Sequence, residues 1–366
     1  MKSKKNLITN ILLVLIGIIV LIITYNDEFL YKKPVMKITK VEEKKSYDKQ
    51  GYGSNVESYY EQKIEGIILN TKNKGLVVNT TNERSTSNVY DENYHKGDKV
   101  FVSINNLKSK TVNIINYKRD FYVVIILLVF IYALYFIGKK QGMLAIVALV
   151  ANVIVYSIAI NLFTKRKFDL VLLTSISTVI FTIISLSLAI GKNKKALVTI
   201  ISTLLSTLVT TLIGVLVMNV THESGVRIEQ IDFLLTPYKE VFITELLLGG
   251  LGAIMDIAIT IASTVNELVE KNNKIDNKTL FLSCREIGKD TMGTMLNVLL
   301  FTYIGCEIPK FILYYRNGFT ISTILHSYLS IDIVRSLVAG IGIVLAIPIT
   351  SIISVHMLKG GKKQWF

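Results

Sequence analysis

The chain has little of what catalysis or cross-linking requires. Its 366 residues include two cysteines and four histidines. Cys284 and Cys306 fall on opposite sides of a membrane in the topology drawn below, which excludes a disulfide between them. His95, His222, His326 and His356 are scattered, and His222-Glu223 lacks the second histidine of a zincin, so no metal site and no cofactor is expected. No Gly-x-x-x-x-Gly-Lys-Ser/Thr loop is present, so this chain does not hydrolyse ATP itself. Its basic residues are not interleaved with aromatics, which argues against a nucleic-acid platform despite a net charge of +14.

Long apolar runs are what the chain does have. Hydrophobic residues make up 51% of it, and the mean hydropathy is +0.48. Eight runs are near or above the roughly 17–25 residues that a bilayer core requires: Leu7–Thr24, Phe121–Ile137, Met143–Leu162, Leu170–Ile190, Ala196–Val220, Val241–Val265, Thr291–Tyr314 and Ile331–Met357. The first has a Lys-rich start but no small-x-small cleavage site, so it reads as an uncleaved anchor. With the N-terminus in the cytoplasm, sixteen lysines and arginines fall on inner segments and six on short outer loops, which satisfies the positive-inside rule. Both termini are then cytoplasmic and residues 26–120 lie outside.

That outer segment holds five β-type runs, Val35–Glu43, Tyr59–Leu69, Gly75–Thr81, Lys99–Ile104 and Thr111–Tyr117, separated by turn signals at Lys49–Gly53, Asn73–Gly75 and Lys96–Asp98. They predict a small closed or half-closed β-barrel, OB-like, with Thr80–Asp98 as a long exposed loop. The expected organisation is an anchor helix (1–25), an outer β domain (26–120), a seven-helix membrane domain (121–358) and a basic tail (359–366).

The most informative stretch is Gly249–Leu268. Asp256 lies in its middle, and an ionisable group at that depth marks a functional site by default. Gly249, Gly252, Ala253, Asp256, Thr260, Ser263 and Glu267 share one helical face, opposite Leu247, Leu251, Ile254, Ala258, Ile261 and Val265. Asp256 and Asn297 could converge inside the bundle, with Asp256 as a proton or cation carrier or as an interhelical hydrogen-bonding group. Glu245, Glu307, Lys310, Asp332 and Arg335 share an outer level, where Asp332 can pair with Arg335 and Glu307 with Lys310 at i,i+3. That level reads either as an interfacial belt or as a vestibule. Asp332, Arg335, Ser336, Ala339, Ala346, Thr350 and Ser354 share a face of the last span. The connection Glu270–Asp290 reads as a short amphipathic helix at the inner membrane surface.

Gly249–Leu268, Lys289-Asp290-Thr291-Met292-Gly293-Thr294-Met295-Leu296-Asn297 and Arg335–Pro348 resemble the YibE/F-like family of bacterial membrane proteins. The resemblance covers spans two to eight, while the outer domain resembles the family only in placement. It implies a multi-pass plasma-membrane protein of permease type and brings no substrate or catalytic residue. A second, partial resemblance is to one half of the RND-type transporters and the SecD/SecF proteins, which place a Gly-flanked acid in a span, then a surface helix and two spans. It implies that Asp256 binds the proton and that the chain pairs with a second copy or a sister membrane protein. Two extra spans and a single acid depart from that pattern. The expected function is a permease or secondary transporter of an unknown small solute, and no enzyme. The alternative is a non-transporting sensor or assembly protein that displays the outer domain.

Overall fold

The computed structural model describes residues 2–51, 55–88, 91–106, 110–166, 168–221 and 238–359. The expected turn at Tyr52-Gly53, Lys167, His222, Arg227 and the tail beyond Lys359 lie outside them. The chain forms two compact units, Met1–Ile137 and Gly138–Phe366.

The first unit opens with helix α1 (Lys2–Tyr25) and continues into five strands: β1 (Val35–Gln50), β2 (Val56–Ile68), β3 (Val77–Ser85), β4 (Lys99–Asn106) and β5 (Thr111–Tyr117). They close a barrel in the order β1-β2-β3-β5-β4, with β1 pairing antiparallel to β4 and β3 meeting β5 in parallel at Asn79 and Thr111. Period-two alternation sends Met36, Ile38, Ile64, Ile68, Val78 and Val100 into the core. Gly66 is required opposite Ile38, because a Cβ there would lie 2.8 Å from the Lys37 carbonyl oxygen and closer still to the Met36 side chain.

Two elements of the barrel differ from expectation. β1 and β2 run on as a hairpin arm to Gln50 paired with Val56, although Glu43–Gln50 carry almost no apolar pattern. The segment Thr80–Ser85 is not loop: it pairs with β2 as far as Tyr59 and Ser85, because backbone hydrogen bonding extends a ladder without help from side-chain hydrophobicity. Glu92 to His95 beyond it are irregular but anchored. Buried Gln62 donates to Asn93 Oδ1 at 2.9 Å and to the Tyr94 carbonyl at 3.2 Å, and Tyr94 stacks on Tyr117 at 6.3 Å.

The chain enters and leaves the barrel through one stapled junction. Asn70 accepts from Val35 N at 2.7 Å and donates to the carbonyls of Glu28, Tyr31 and Lys33. Lys118, nearly fully buried, meets Asp27 at 2.6 Å and Asp120 at 2.7 Å. Tyr31 donates to Asp120 at 2.7 Å, and Lys99 pairs with Glu28. Beyond it, the Tyr132 hydroxyl donates to the Leu13 carbonyl at 2.7 Å and lies against Gly17, so α1 packs on the first half of the next helix.

The remainder is helical: α2 (Asp120–Arg166), α3 (Leu170–Ile190), α4 (Lys194–Val220), α5 (Tyr238–Gly249), α6 (Leu251–Lys271), α7 (Asn277–Arg316), a short α8 (Ile321–Thr323) and α9 (Ser330–Ser354). Six helical stretches among the described residues are long and apolar enough to cross a membrane, taking α5–α6 as one, and α1 adds a shorter apolar helix over Asn10–Tyr25. The boundaries of several of the eight expected runs differ in the structure. Runs two and three fall in one element, α2, which a non-helical residue, Lys139 (φ 47°, ψ −122°), divides into two helices. Run six is broken at Gly250, where an added Cβ would lie 3.3 Å from Ala339 Cβ. The surface helix expected over Glu270–Asp290 is instead the first half of the 40-residue α7. Asp276 caps it by accepting from Lys278 N, and the buried series Leu280, Cys284 and Gly288 continues the helix without a break.

Candidate functional site

The helical unit is assembled around α9. Its inner face buries Ser336, Ala339, Gly342, Ile343, Ala346, Thr350 and Ser354, which supports the polar face read from the sequence. It meets α4, whose Thr199, Ser202, Thr203, Ser206, Thr207, Thr210, Thr211 and Gly214 are buried at spacings of three and four. Sequence reasoning missed this hydroxyl stripe, although its period was available: threonine and serine pass unnoticed inside an apolar run. Small residues let the two backbones approach closely. A Cβ on Gly342 would lie 2.7 Å from Thr210 Oγ1. Thr210 and Thr211 turn their hydroxyls onto the carbonyls of Ser206 and Thr207 at 2.7 and 2.9 Å, which satisfies them inside their own helix.

The polar face of α6 points the other way. Ile254, Ile257, Ile261 and Val265 are buried against α9 and α7, while Gly252, Asp256 and Glu267 lie exposed and Ala253, Thr260 and Ser263 half-buried. Nothing lies within 4 Å of a Cβ built on Gly252. Thr260 donates to its own helix at the Asp256 carbonyl, 2.8 Å. Asn297 is exposed as well and lines a groove to which Asp256 does not contribute. The expected convergence of Asp256 and Asn297 inside the bundle is therefore incorrect for this unit. The apolar ridge of α6 is the one that interdigitates with α9, and that packing rotates Asp256 outward.

Gly249 belongs to packing. The Tyr303 hydroxyl lies against it, and Arg335 Cγ comes within 3.9 Å of a Cβ built there. Tyr303 is a second residue that the sequence did not single out.

The outer-level residues do assemble. Arg335 donates to Asp332 Oδ1 at 3.0 Å through Nη1 and to Glu245 through Nη2. Lys310 pairs with Glu307 at 2.9 Å. Asp332 is within electrostatic reach of Glu307 and Lys310 as well as Arg335, so the two pairs form one cluster. Below it, α7 and α9 diverge to leave a groove of about 790 Å³. Its walls are apolar, including Leu300, Ile304, Leu337 and Ile341, and its polar lining includes Asn297, Glu307 and Asp332. Lys310 and Arg335 do not line it. Among the described residues, no group of three or more His, Cys, Asp or Glu could hold a metal ion.

No curated protein and no solved structure matches this chain. Family models do. The YibE/F family N-terminal domain matches residues 29–117, so the β-barrel domain shares the family in sequence and not only in placement. The YibE/F-like protein model matches residues 126–360, most of the remainder. The chain belongs to the YibE/F-like family.

Proposed function

We propose that this protein is a multi-pass permease or secondary transporter of the bacterial plasma membrane. α6, α7 and α9 form its translocation element, and Asp256 is its proton-coupling group. The observation that carries the reading is the α7–α9 groove. It gathers Asn297, Glu307 and Asp332 on the wall of one elongated space, beneath a charged cluster tied by Arg335. In this reading the apolar helices span the bilayer, with both termini cytoplasmic and the barrel outside. The barrel, with a strand order suited to an OB-like fold, receives or guards the solute.

Asp256 stands near the middle of the Lys239–Lys271 stretch and on its outward face. A carboxylate at mid-depth is costly against lipid. The α6 face therefore needs water or a protein neighbour, either a second copy or a sister chain.

The test is solute-elicited proton uptake in vesicles reconstituted with the full chain and loaded with a pH dye. A panel of inorganic cations, amines and organic anions is added in turn. Uptake that one class elicits, that Asp256→Asn abolishes and that Asp256→Glu retains, supports the proposal. Uptake unchanged in Asp256→Asn overturns the coupling role. No response to any class favours the display reading, which deletion of residues 35–118 would then test by loss of phenotype.

A further inference from the structure

The outer cluster holds three carboxylates, Glu245, Glu307 and Asp332, against two cations, Lys310 and Arg335. Among the described residues of the cluster, one negative charge is left over. Glu307 and Asp332 are among the residues that line the groove, while Lys310 and Arg335 are not. Glu307 and Asp332 are largely withdrawn from water, with side chains 13% and 19% exposed, so a charge placed beside them is poorly screened.

The groove below is long and almost wholly apolar. From Asn297 to Phe311 along α7 it extends about 20 Å at a helical rise of ~1.5 Å per residue. One leaflet contributes about 15 Å of the hydrocarbon core, so a single extended alkyl chain can lie along it. Leaving lipid for this groove gains such a chain almost nothing, since lipid tails are as apolar as leucine. Selectivity must come from the head group, where the surplus acid is.

We propose that the α7–α9 groove is a binding site for a single-chain amphiphile with a cationic amine head, its alkyl chain along α7 and its ammonium between Glu307 and Asp332. This names a substrate class for the transport reading and rests on it for the claim that the ligand moves. The binding claim stands separately. An ammonium there donates to two carboxylates, a charge-assisted contact that a neutral head cannot make. An alkyl carboxylate adds a fourth negative charge and is excluded.

The experiment is native mass spectrometry of the full-length chain in maltoside micelles, titrated in turn with octadecylamine, octadecanol and stearic acid. The amine should bind about tenfold or more tighter than the alcohol, and the acid more weakly than either. Asp332→Asn and Glu307→Gln should each bring the amine close to the alcohol. Ile341→Trp, at an exposed position on the groove wall, should displace amine and alcohol alike. Equal binding of the three probes to the wild-type chain overturns the proposal and marks the groove as a surface for bulk lipid. Binding that survives Ile341→Trp overturns its location. The head-group comparison needs no variant, so a misfolded Asp332→Asn cannot rescue it. Amine binding without amine-elicited proton uptake would overturn the transport reading and leave the site intact.

Discussion

Two clusters in this protein hold the same charges and end differently. At the barrel junction, Asp27, Glu28 and Asp120 face Lys99 and Lys118. In the helical unit, Glu245, Glu307 and Asp332 face Lys310 and Arg335. Among the described residues, each has one acid in excess. At the junction the excess is absorbed internally: Asp120 accepts from the Tyr31 hydroxyl at 2.7 Å and from Phe121 N at 3.0 Å. In the helical unit two of the three carboxylates, Glu307 and Asp332, line an open groove instead. A saturated cluster is a structural staple, and one that leaves a charge facing a cavity is a receptor for its counter-ion.

Breaking the staple should have the largest effect. Lys118→Met leaves two acids facing each other with no buried cation, which should cost about 3–5 kcal/mol. Full-length protein should lose hydrogen-exchange protection throughout residues 28–35 and 99–118. A protected junction in that variant would mean that Asn70 and the barrel core suffice.

Arg335→Met should cost less, about 2–3 kcal/mol by the same mechanism, since Glu245 is 34% exposed and reaches solvent. The check is the thermal midpoint in micelles, beside Gly342→Leu and Gly252→Leu as controls for inner and outer faces. Gly342→Leu collides with Thr210 and Ile254 and should destabilise by about 1–3 kcal/mol. Gly252→Leu meets nothing and should leave the midpoint unchanged.

Tyr31→Phe sharpens the comparison further. It removes the neutral donor that satisfies Asp120, a loss of about 1 kcal/mol, and should make the junction resemble the groove cluster. Exchange protection localised to Glu28–Leu30 and the start of α2 reads it.

The smallest effect is with pH. Burial pushes the Glu28 carboxyl up, but the Lys99 hydrogen bond and the Lys99 and Lys118 charges outweigh it, so its pKa lies below the usual value of 4.5. A depressed carboxyl contributes stability above its unfolded pKa and loses it as pH falls through the folded one. The hydrogen bond to Asp120, then burial, raises the Tyr31 hydroxyl above its usual 10.0. That contribution is present below pH 10.0 and lost as pH rises through the folded value. Junction protection should therefore be flat between these limits and fall outside them, and Tyr31→Phe should shrink the alkaline loss without abolishing it, since the Lys118 ammonium, whose pKa is also raised, is lost at high pH as well.

Much of this was legible in the sequence. Alternation located five strands, and apolar runs located the helices, because both follow from a period that burial imposes on residue type. The hairpin arm to Gln50 was not legible, since an exposed ladder imposes no such period. The continuity of α7 was hidden by Arg285, Glu286, Lys289 and Asp290, which look like a surface turn but sit on the open side of one helix. The site was half legible. Spacing paired Asp332 with Arg335 and Glu307 with Lys310, but it could not show that Arg335 also reaches Glu245, 90 residues away. Nor can a helical wheel say which face turns inward: α6 and α9 both carry a small-and-polar stripe, yet α9 buries its stripe and α6 exposes it.

That last difference bears on the central claim, that Asp256 is a mid-depth carboxyl with no ion-pair partner among the described residues, while Glu245 and Asp332 each accept a hydrogen bond from Arg335. An apolar carbodiimide, which reacts with protonated carboxyls in apolar surroundings, tests it in native membranes, with modified residues located by mass spectrometry across a pH series. The account predicts modification at Asp256 that rises as pH falls, with Glu245 and Asp332 unmodified. No modification of Asp256 at any pH, or equal modification of all three, would contradict it.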